Sequence, residues 1–417
     1  MGIGTRSRRV AALVVLVAAA AFLVSPTRTV RPTVHPFGTA AGDRPPADVD
    51  DGRGPAEVAR PPVGAPRPTL VGARPARSVA EAFGAYVGDS VDLGPLARYE
   101  AALGLPPGET LGSVLRYASG GGRGGWQRWR DSIDRMLALF AAPGQERRLV
   151  VSLPLLVEER LPAGTPQLAA AGLTTDPRTS AAGAAGAYDD HWRWLGGRLV
   201  EVFGRRLPYA VLLRPGWEAN GDWYRWSYGT GRGYDAGLAA DFAGYWRRVH
   251  DLVMGPVRAA GTTVPWVLNA AGGNHRSGGF EAAWPGDEYV DVVSADLYQS
   301  HDFRSTSDFT AAGAALAWLE AVGAARDKLV AVDETSVSWR REGGRQVGGG
   351  DNALWFSSLR RWADRLVAER RLSHLLVFES DPEPSDLFAV VFPRYPRTYT
   401  FPRARADLIA SFGGGSR

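Results

Sequence analysis

The sequence contains no cysteine and, apart from Lys328, no lysine. The absence of cysteine excludes disulfide bonds, thiolate catalysis and cysteine-ligated metal sites. The formal net charge of +4 therefore comes almost wholly from arginine. The basic residues in 53–77 and 394–405 are spread out, without the dense clusters and interleaved aromatics of a nucleic-acid surface. We expect no nucleic-acid partner.

Several catalytic motifs are missing as well. The six histidines show no H-E-x-x-H or comparable pairing, which disfavours a metal hydrolase. No G-x-S-x-G occurs, which disfavours a serine esterase. The glycine run at 120–125 lacks the Gly-Lys-Ser/Thr ending of a phosphate loop, and we interpret it as a loop at a strand end. The sequence therefore indicates neither a metal nor a cofactor.

One long apolar run lies near the N-terminus. Residues 10–24 are 15 apolar residues that follow a flank containing Arg6, Arg8 and Arg9. This arrangement is typical of a signal peptide, and the run is short for a membrane-spanning helix, which needs about 20 residues. We predict that residues 1–25 are a signal peptide or an uncleaved signal anchor. The protein would then be secreted, or held at the cell surface through residues 10–24.

A linker is predicted after this segment. Residues 26–77 are dense in Pro, Gly, Ala, Arg and Asp and show no sustained apolar period. Such a segment cannot bury enough surface to offset the entropy lost on ordering. We therefore predict a disordered linker over 26–77 and one catalytic domain over 78–417, and we expect a monomer.

Short apolar runs alternate with amphipathic stretches in the predicted domain. The runs predict eight strands, at 83–87, 114–117, 149–153, 210–214, 264–269, 290–296, 329–333 and 375–378. The stretches predict helices that include 126–140, 188–203, 241–253, 310–322, 354–370 and 403–411. Such alternation gives parallel βαβ units, and eight of them close into an α/β (β/α)8 or TIM barrel. A doubly wound open sheet is the alternative, but the first predicted strand lacks the G-x-G-x-x-G turn typical of it.

A cluster of polar and aromatic residues follows the fourth predicted strand, with the sequence RPGWEANGDWYRW at 214–226. Catalytic groups of a barrel lie at the C-terminal ends of its strands, so Glu218 is predicted at the mouth. Nearby indole rings would desolvate its carboxyl, raise its pKa and suit it to donate a proton. Each aromatic taken singly could equally belong to the core. We expect sugar-binding contacts from Arg214, Trp217, Asn220, Trp223 and Trp226.

A second carboxylate ends the seventh predicted strand, in the sequence KLVAVDETSVSW at 328–339. Taken alone, Glu334 is equally well explained by a helix cap or a salt bridge. Retaining hydrolysis needs two carboxyl groups about 5 to 5.5 Å apart, and a closed barrel brings the ends of two such strands to one mouth. We therefore predict Glu218 as acid/base and Glu334 as nucleophile. Tyr298, at the end of the sixth strand, is well placed to hold Glu334 ionised.

These residues resemble glycoside hydrolase family 26, over roughly residues 80–412. The similarity lies in 214–226, in WPGDEYVDVVSADLY at 284–298 and in the strand that ends in Glu334. The resemblance implies Glu218 as acid/base, Glu334 as nucleophile and Tyr298 as the partner of the nucleophile. It also implies an endo-acting β-glycanase, most often on β-1,4-mannan or glucomannan, with β-glucanases and β-1,3-xylanases as minorities. Trp223 and Trp339 are carried over as substrate-binding residues.

Two positions depart from the family pattern. Trp217 stands where the family usually has a histidine directly before the acid/base, and an indole, which only donates, cannot replace an imidazole. Asp333 is more polar than the usual residue, and strand alternation predicts that its side chain points away from the face of Glu334. Trp217 keeps a noncatalytic carbohydrate-binding barrel open as the alternative function. Other strand-end and loop side chains stay unassigned: Trp266, Asn269, Asn274, His275, Trp284 and His301.

Overall fold

The computed structural model describes residues 73–416, except 90–91, 122–123, 231–232, 300–309, 343–344, 348, 382–385 and 394–398. The signal segment at 1–25 and most of the linker lie outside the described residues and stay predictions. Residues 73–77 pack against the domain, since the Ala76 N–H donates to the Leu372 carbonyl at 2.8 Å and Ala73 is buried. Residues 73–77, which the sequence assigns to the linker, are therefore packed on the domain.

Eight parallel strands form the main sheet of the described chain, in the order β4-β3-β2-β1-β8-β7-β6-β5. They are β1 (Phe83–Tyr86), β2 (Ser113–Tyr117), β3 (Arg148–Leu153), β4 (Val211–Pro215), β5 (Val267–Ala271), β6 (Val292–Gln299), β7 (Leu329–Val337) and β8 (Leu372–Phe378). All eight predicted strands are confirmed. The predictions ended β6 and β7 too early, because the polar residues at their C-terminal ends resembled loop.

Helices follow the strands around the outside of the sheet. They are α1 (Val79–Ala82), α2 (Gly94–Ala102), α3 (Gly125–Ala141), α4 (Pro166–Ala170), α5 (Ser180–Ala184), α6 (Asp189–Phe203), α7 (Leu207–Ala210), α8 (Ala236–Ala259), α9 (Gly279–Ala282), α10 (Thr310–Ala325), α11 (Trp355–Ala368) and α12 (Pro402–Phe412). Each of the six predicted helices is present. Among the residues that the structure describes, no helix is both long and apolar enough to cross a membrane.

The helices pack on the sheet through apolar stripes. In α3 the buried residues Trp126, Trp129, Ile133, Leu137 and Phe140 recur every three or four positions, which places them on one face. They join the main hydrophobic core between the strands and the helices. This layer holds the strands in place and so fixes where their C-terminal ends lie.

A seam between β4 and β5 closes the barrel. The Leu213 N–H donates to the Pro265 carbonyl at 2.9 Å, and Leu213 pairs with Trp266 in a parallel bridge. Nearer the mouth the two sides of the seam are linked by a side-chain amide instead of by backbone hydrogen bonds. Asn220, after β4, accepts from the N–H of Ala271 at the end of β5 and donates to its carbonyl. With this closure the predicted TIM barrel is confirmed.

The interior of the barrel is apolar in its middle and polar at its mouth, and Arg148 at the start of β3 is a buried charged residue at the opposite end. Leu212 belongs to an apolar cluster inside the barrel, and Arg214, two residues later on the same face of β4, is fully buried among polar groups. The apolar cluster comprises Ala73, Leu115, Val150, Leu212, Val267, Val292, Leu329, Ala331 and Leu376. The polar half therefore gathers at the C-terminal ends of the strands.

Candidate active site

Glu218 is positioned by a tight turn directly after β4. Gly216 and Glu218 both have left-handed backbone, with φ of 57° and 50°. A side chain at Gly216 would begin 2.5 Å from an atom of Leu155, so glycine is required there. The Glu218 N–H donates to Asn269 Oδ1 at 3.0 Å, which ties the turn to β5.

The Glu218 carboxyl lies in a nearly dry environment. It is 3% exposed, and Trp223 Nε1 donates to its Oε2 at 3.0 Å. Burial, and then the negative charge of Glu334, raise the pKa of Glu218 to about 8, against the opposing effects of Arg214 and Trp223. Glu218 is therefore protonated at neutral pH and able to donate its proton.

Glu334 is surrounded by hydrogen-bond donors. Tyr298 donates to Oε2 at 2.6 Å, Arg214 Nη1 donates to Oε1 at 2.7 Å, and the Tyr117 hydroxyl also donates to Oε1. Burial and the charge of Glu334 raise the pKa of both tyrosines well above the usual range, so both stay protonated. Three donors favour the ionised carboxylate. The predicted contact between Tyr298 and Glu334 is present.

Asp333 faces the barrel interior together with Glu334, so the prediction that it points to the opposite face is wrong. The register between β6 and β7 explains the difference: Ala295 pairs with Val332, but the next residue, Asp296, pairs with Glu334. Asp333 is the extra residue of a β-bulge. Strict alternation assumes an unbroken register, which the bulge interrupts.

Arg214 joins the carboxylates at the mouth. Its side chain is fully buried, and besides Glu334 it forms ion pairs with Asp296 through Nη2 and with Asp333 through Nε, the latter at 2.9 Å. Burial alone would lower the pKa of Arg214, but Asp296, Glu334 and Asp333 together hold it well above its usual value. Arg214 therefore stays charged. Its predicted contact with substrate is corrected to a positioning role, because none of its surface is accessible.

Asp333 has further buried partners. His374 Nε2 contacts its Oδ1, and the Ser294 hydroxyl donates to its Oδ2. Burial would raise the pKa of Asp333, but Arg214 and His374 hold it below its usual value. The sequence did not predict a role for His374. The one feature that could have indicated it is the presence of a histidine within the apolar run of β8.

Three of the predicted sugar-binding residues lie behind the site. Trp226 is 5% exposed, donates to the Trp217 carbonyl at 3.0 Å and stacks on Tyr224 at 4.6 Å between ring centroids. Asn220 is 1% exposed and holds the barrel seam. We correct Trp226 and Asn220, like Arg214, from substrate contact to support of the mouth.

Two other predicted residues are partly accessible. Trp223 is half-buried and contacts Glu218 through its indole N–H. Trp339 is half-buried and stacks on Tyr399, with 5.5 Å between ring centroids and 17° between the rings. Both present aromatic surface of the kind that stacks on sugar rings.

Trp217, the departure from the family pattern, packs against Tyr117. Its ring meets Tyr117 edge-on at 5.2 Å, and its Nε1 donates to the Tyr224 hydroxyl at 2.8 Å. Trp217 is 7% exposed, so most of the indole is used for packing. It therefore supports Tyr117, a donor to Glu334 that sequence reasoning missed.

A cavity of about 520 Å³ lies at the C-terminal ends of β1 and β8, and neither Glu218 nor Glu334 is among its lining residues. Tyr86 lines it and meets Tyr117 edge-on at 5.0 Å, and Tyr117 in turn donates to Glu334. Its other lining residues are Val87, Gly88, Asp89, Pro95, Arg98, Glu379, Ser380 and Phe392. Sequence reasoning identified none of these residues, since they come from three separate segments.

Glu379 fixes one wall of this cavity. Its carboxylate accepts hydrogen bonds from the backbone N–H groups of Val390, Val391 and Phe392, at 3.1, 2.6 and 2.7 Å. Burial raises the pKa of Glu379 to about 7, against the opposing effect of these N–H groups. The buried Asp381 likewise accepts from the N–H groups of Phe388 and Ala389, so two buried carboxyl groups anchor the segment after β8.

The residues left unassigned have ordinary partners or lie elsewhere. Trp266 is core, Asn274 donates to the Asn220 carbonyl at 3.3 Å, His275 contacts the Gly272 carbonyl and Trp284 donates to Asp287. His301 lies outside the described residues. No group of three His, Asp or Glu side chains suited to a metal ion occurs in the part of the chain that the structure describes.

The sequence of this region matches a known family. Residues 199–339 match the model described as glycosyl hydrolase family 26, a segment that contains Arg214, Glu218, Tyr298 and Glu334. The resemblance to glycoside hydrolase family 26 is confirmed. The match covers both glutamates that the sequence singles out, and the rest of the described barrel lies outside it.

A curated relative is similar to this chain over a shorter segment. Endoglucanase H of Acetivibrio thermocellus is 37% identical over 90 residues. That segment covers 21% of this chain and 9% of the relative, so the chain spans only a small part of that protein.

Solved structures share the fold. The YdhT protein from Bacillus subtilis is 16% identical with a TM-score of 0.50, over 82% of this chain and 88% of that one. A double mutant of the Cellulomonas fimi endo-β-1,4-mannanase is 16% identical with a TM-score of 0.51, over 81% and 72% of the two chains. At this identity the likeness shows the barrel fold alone.

Proposed function

We propose that the protein is a retaining, endo-acting glycoside hydrolase that cleaves a β-linked polysaccharide by double displacement. The contrast between two buried carboxyl groups carries the proposal. Burial raises the pKa of Glu218 to about 8, while Tyr117, Tyr298 and Arg214 all donate to Glu334. At one and the same pH, Glu218 is suited to hold a proton and Glu334 a negative charge.

In the first step the Glu334 carboxylate attacks the anomeric carbon and forms an ester bond to the sugar. The bond from that carbon to the glycosidic oxygen breaks, and Glu218 gives its proton to this oxygen, so the leaving chain departs neutral. Tyr117, Tyr298 and Arg214 hold the attacking carboxylate in place until its charge is transferred.

In the second step water replaces the leaving chain. Glu218, now ionised, takes a proton from the water as the water oxygen attacks the anomeric carbon. The ester bond breaks, Glu334 leaves as a carboxylate and Glu218 is protonated again. Two inversions give net retention, and both carboxyl groups return to their starting states.

The proposed substrate is β-1,4-mannan or glucomannan, and the family match supports it. The local similarity to an endoglucanase favours a β-glucan as the second candidate. A β-1,3-xylan is the third candidate that the family resemblance allows. The half-buried rings of Trp223 and Trp339, together with the cavity beside Tyr86, supply the surface for sugar units.

A noncatalytic carbohydrate-binding barrel is the alternative. The observation that favours it is Trp217, whose indole packs on Tyr117 in the position directly before the acid/base. A binding site needs no buried carboxyl group with a raised pKa beside a second one that accepts from three donors, so catalysis is the better proposal.

We also propose that the protein acts outside the cytoplasm as a monomer. The arginine-rich flank and the apolar run at 10–24 support export, with cleavage near residue 25 or retention as an anchor. N-terminal sequencing of protein recovered from the culture medium and from the membrane fraction distinguishes the two, and size-exclusion chromatography tests the monomer.

The deciding experiment measures reducing ends released by the full chain from galactomannan, glucomannan, mixed-linkage β-glucan and β-1,3-xylan. Glu334→Ala serves as the inactive control. Proton NMR of the first product reports its anomeric configuration, and a β product supports retention. Binding of a polysaccharide without release of reducing ends would establish the alternative.

A further inference from the structure

Asn269 on β5 contacts the backbone of Glu218 on one side and, on the other, two acidic side chains that share Arg214 with Glu334. Its side chain is 1% exposed, so water does not compete for its hydrogen bonds. Its Oδ1 accepts from the backbone N–H of Glu218 at 3.0 Å. Its Nδ2 lies 2.9 Å from Asp296 Oδ1 and 3.0 Å from Asp333 Oδ2.

The orientation of this amide is fixed by its neighbours. If the amide were reversed, its NH₂ group would face the N–H of Glu218 and its oxygen would face the carboxylates of Asp296 and Asp333. Both contacts would be repulsive. Asn269 therefore has one orientation, with the acceptor toward the turn of Glu218 and the donor toward the interior of the barrel.

The link continues to the nucleophile through one arginine. Asp296 and Asp333 both pair with Arg214, and Arg214 Nη1 donates to Glu334 at 2.7 Å. The side chains of Arg214, Asp296 and Asp333 are fully buried. A displacement of Asn269 would therefore move both proposed catalytic residues, Glu218 directly and Glu334 through Arg214.

The turn of Glu218 needs such support. Its φ of 50° is a left-handed conformation that residues other than glycine rarely adopt. This backbone persists only where the surroundings hold it. The hydrogen bond from the Glu218 N–H to Asn269 holds it from β5, the neighbouring strand across the seam.

We propose that Asn269 is the positioning residue that sets the placement of Glu218 relative to Glu334. This inference rests on the proposed function, because it assigns the two glutamates their catalytic roles. Asn269 touches neither carboxyl group. It acts through the backbone of Glu218 on one side and through Asp333, Asp296 and Arg214 on the other.

The kinetic test compares Asn269→Ala with Asn352→Ala. Asn352 is also buried, at 3% exposed, but its side chain accepts from the Leu354 N–H at the start of α11. We expect Asn269→Ala to lower kcat about 100-fold with KM unchanged, because misplacement of a catalytic group slows the chemical step. The loss should be smaller for an activated aryl glycoside, whose leaving group needs little proton donation. Equal kcat values in the two variants would overturn the inference.

A second readout does not need activity. Carbon-13 NMR of labelled glutamate, assigned with Glu218→Gln, follows the titration of Glu218, expected near pH 8 in the unchanged chain. In Asn269→Ala the midpoint should fall, because a released turn lets the carboxyl reach water. The same midpoint in both proteins would contradict the role of Asn269, even if neither protein is active. Inactivity of the protein without substitutions would instead contradict the proposed function.

Hydrogen exchange covers the case in which Asn269→Ala does not fold. In the unchanged chain the Glu218 N–H should exchange slowly, since it is buried and bound to Asn269. Exchange at the rate of an exposed loop amide would show that the bond does not hold the turn, and the inference would be withdrawn.

Discussion

The Tyr117 hydroxyl donates a hydrogen bond to Glu334 Oε1, from the end of β2 to a residue of β7 on the far side of the barrel interior. Tyr117→Phe removes this donor and leaves the ring in place. A hydrogen bond to a charged group contributes about 1.5 to 3 kcal/mol, so we expect kcat to fall about 10- to 100-fold. Steady-state kinetics on the best substrate measures the change. Tyr209→Phe, on an exposed tyrosine, is the matched control and should change nothing.

Arg214 is the shared cationic partner of three buried acidic side chains, which makes its removal costly. Arg214→Met leaves Asp296, Asp333 and Glu334 without a cation in the barrel interior. We expect the free energy of unfolding to fall by about 3 to 5 kcal/mol, the usual cost of breaking a buried ion pair. Urea denaturation measures it, with the exposed Arg205→Met as control. Equal midpoints for the two variants would contradict the role of Arg214.

The raised pKa of Glu218 predicts the alkaline limit of activity. Proton donation needs the protonated carboxyl, and burial raises the pKa of Glu218 to about 8. The activity should therefore fall as the pH rises through about 8. A profile of kcat/KM against pH checks this, and an alkaline limb near the ordinary carboxyl value would refute it.

The same group links stability to pH. In the unfolded chain Glu218 ionises near pH 4.3, and in the folded chain near pH 8, so between these values the folded state binds more protons and is destabilised as the pH rises. Glu218→Gln removes this effect. Its Tm should exceed that of the unchanged protein by a margin that grows from about pH 4.3 to about pH 8 and is constant above. Scanning calorimetry at several pH values tests the trend, and a margin independent of pH would contradict it.

Glu379 anchors the segment that walls the cavity. Glu379→Ala leaves the N–H groups of Val390, Val391 and Phe392 without their acceptor, at a cost of about 3 kcal/mol in unfolding free energy. Thermal denaturation measures the loss against Glu109→Ala, which changes an exposed glutamate. If the cavity binds sugar units, KM should rise as well. An unchanged KM would show that the cavity is not part of the substrate-binding site.

Trp217 provides a test of substrate preference. Trp217→His introduces an imidazole, which can accept as well as donate, directly before Glu218. We expect the ratio of kcat/KM on galactomannan to kcat/KM on β-glucan to rise. Trp217→Phe removes the indole without adding an acceptor and is the control. The same ratio in both variants would show that residue 217 does not set the preference.

The sequence predicted the strands well because each is a compact apolar run. It predicted Glu218 and Glu334 because each follows such a run directly. Tyr117 was placed at the end of a predicted strand, but nothing local connects it to Glu334, since the contact spans 217 positions of the chain. Which strand ends face each other is decided by the register of the closed sheet.

Burial explains the other differences between prediction and structure. Trp226 and Asn220 were assigned to substrate because they stand beside Glu218 in sequence, yet the turn after β4 directs both inward. Asp333 was assigned to the opposite face because a bulge leaves no mark in the pattern of apolar residues. These positions depend on tertiary contacts that no local pattern encodes.

The seam between β4 and β5 should open on heating before the rest of the barrel unfolds. Leu213 and Pro265 supply a backbone bond there, whereas Asn220 and Asn269 span the seam through side-chain amides next to Glu218. Side chains exchange partners more readily than a continuous ladder. A small opening of this joint would misplace the acid/base while the rest of the barrel remains intact. The proposed hydrolase activity should therefore be lost on heating before the barrel unfolds, and return on cooling.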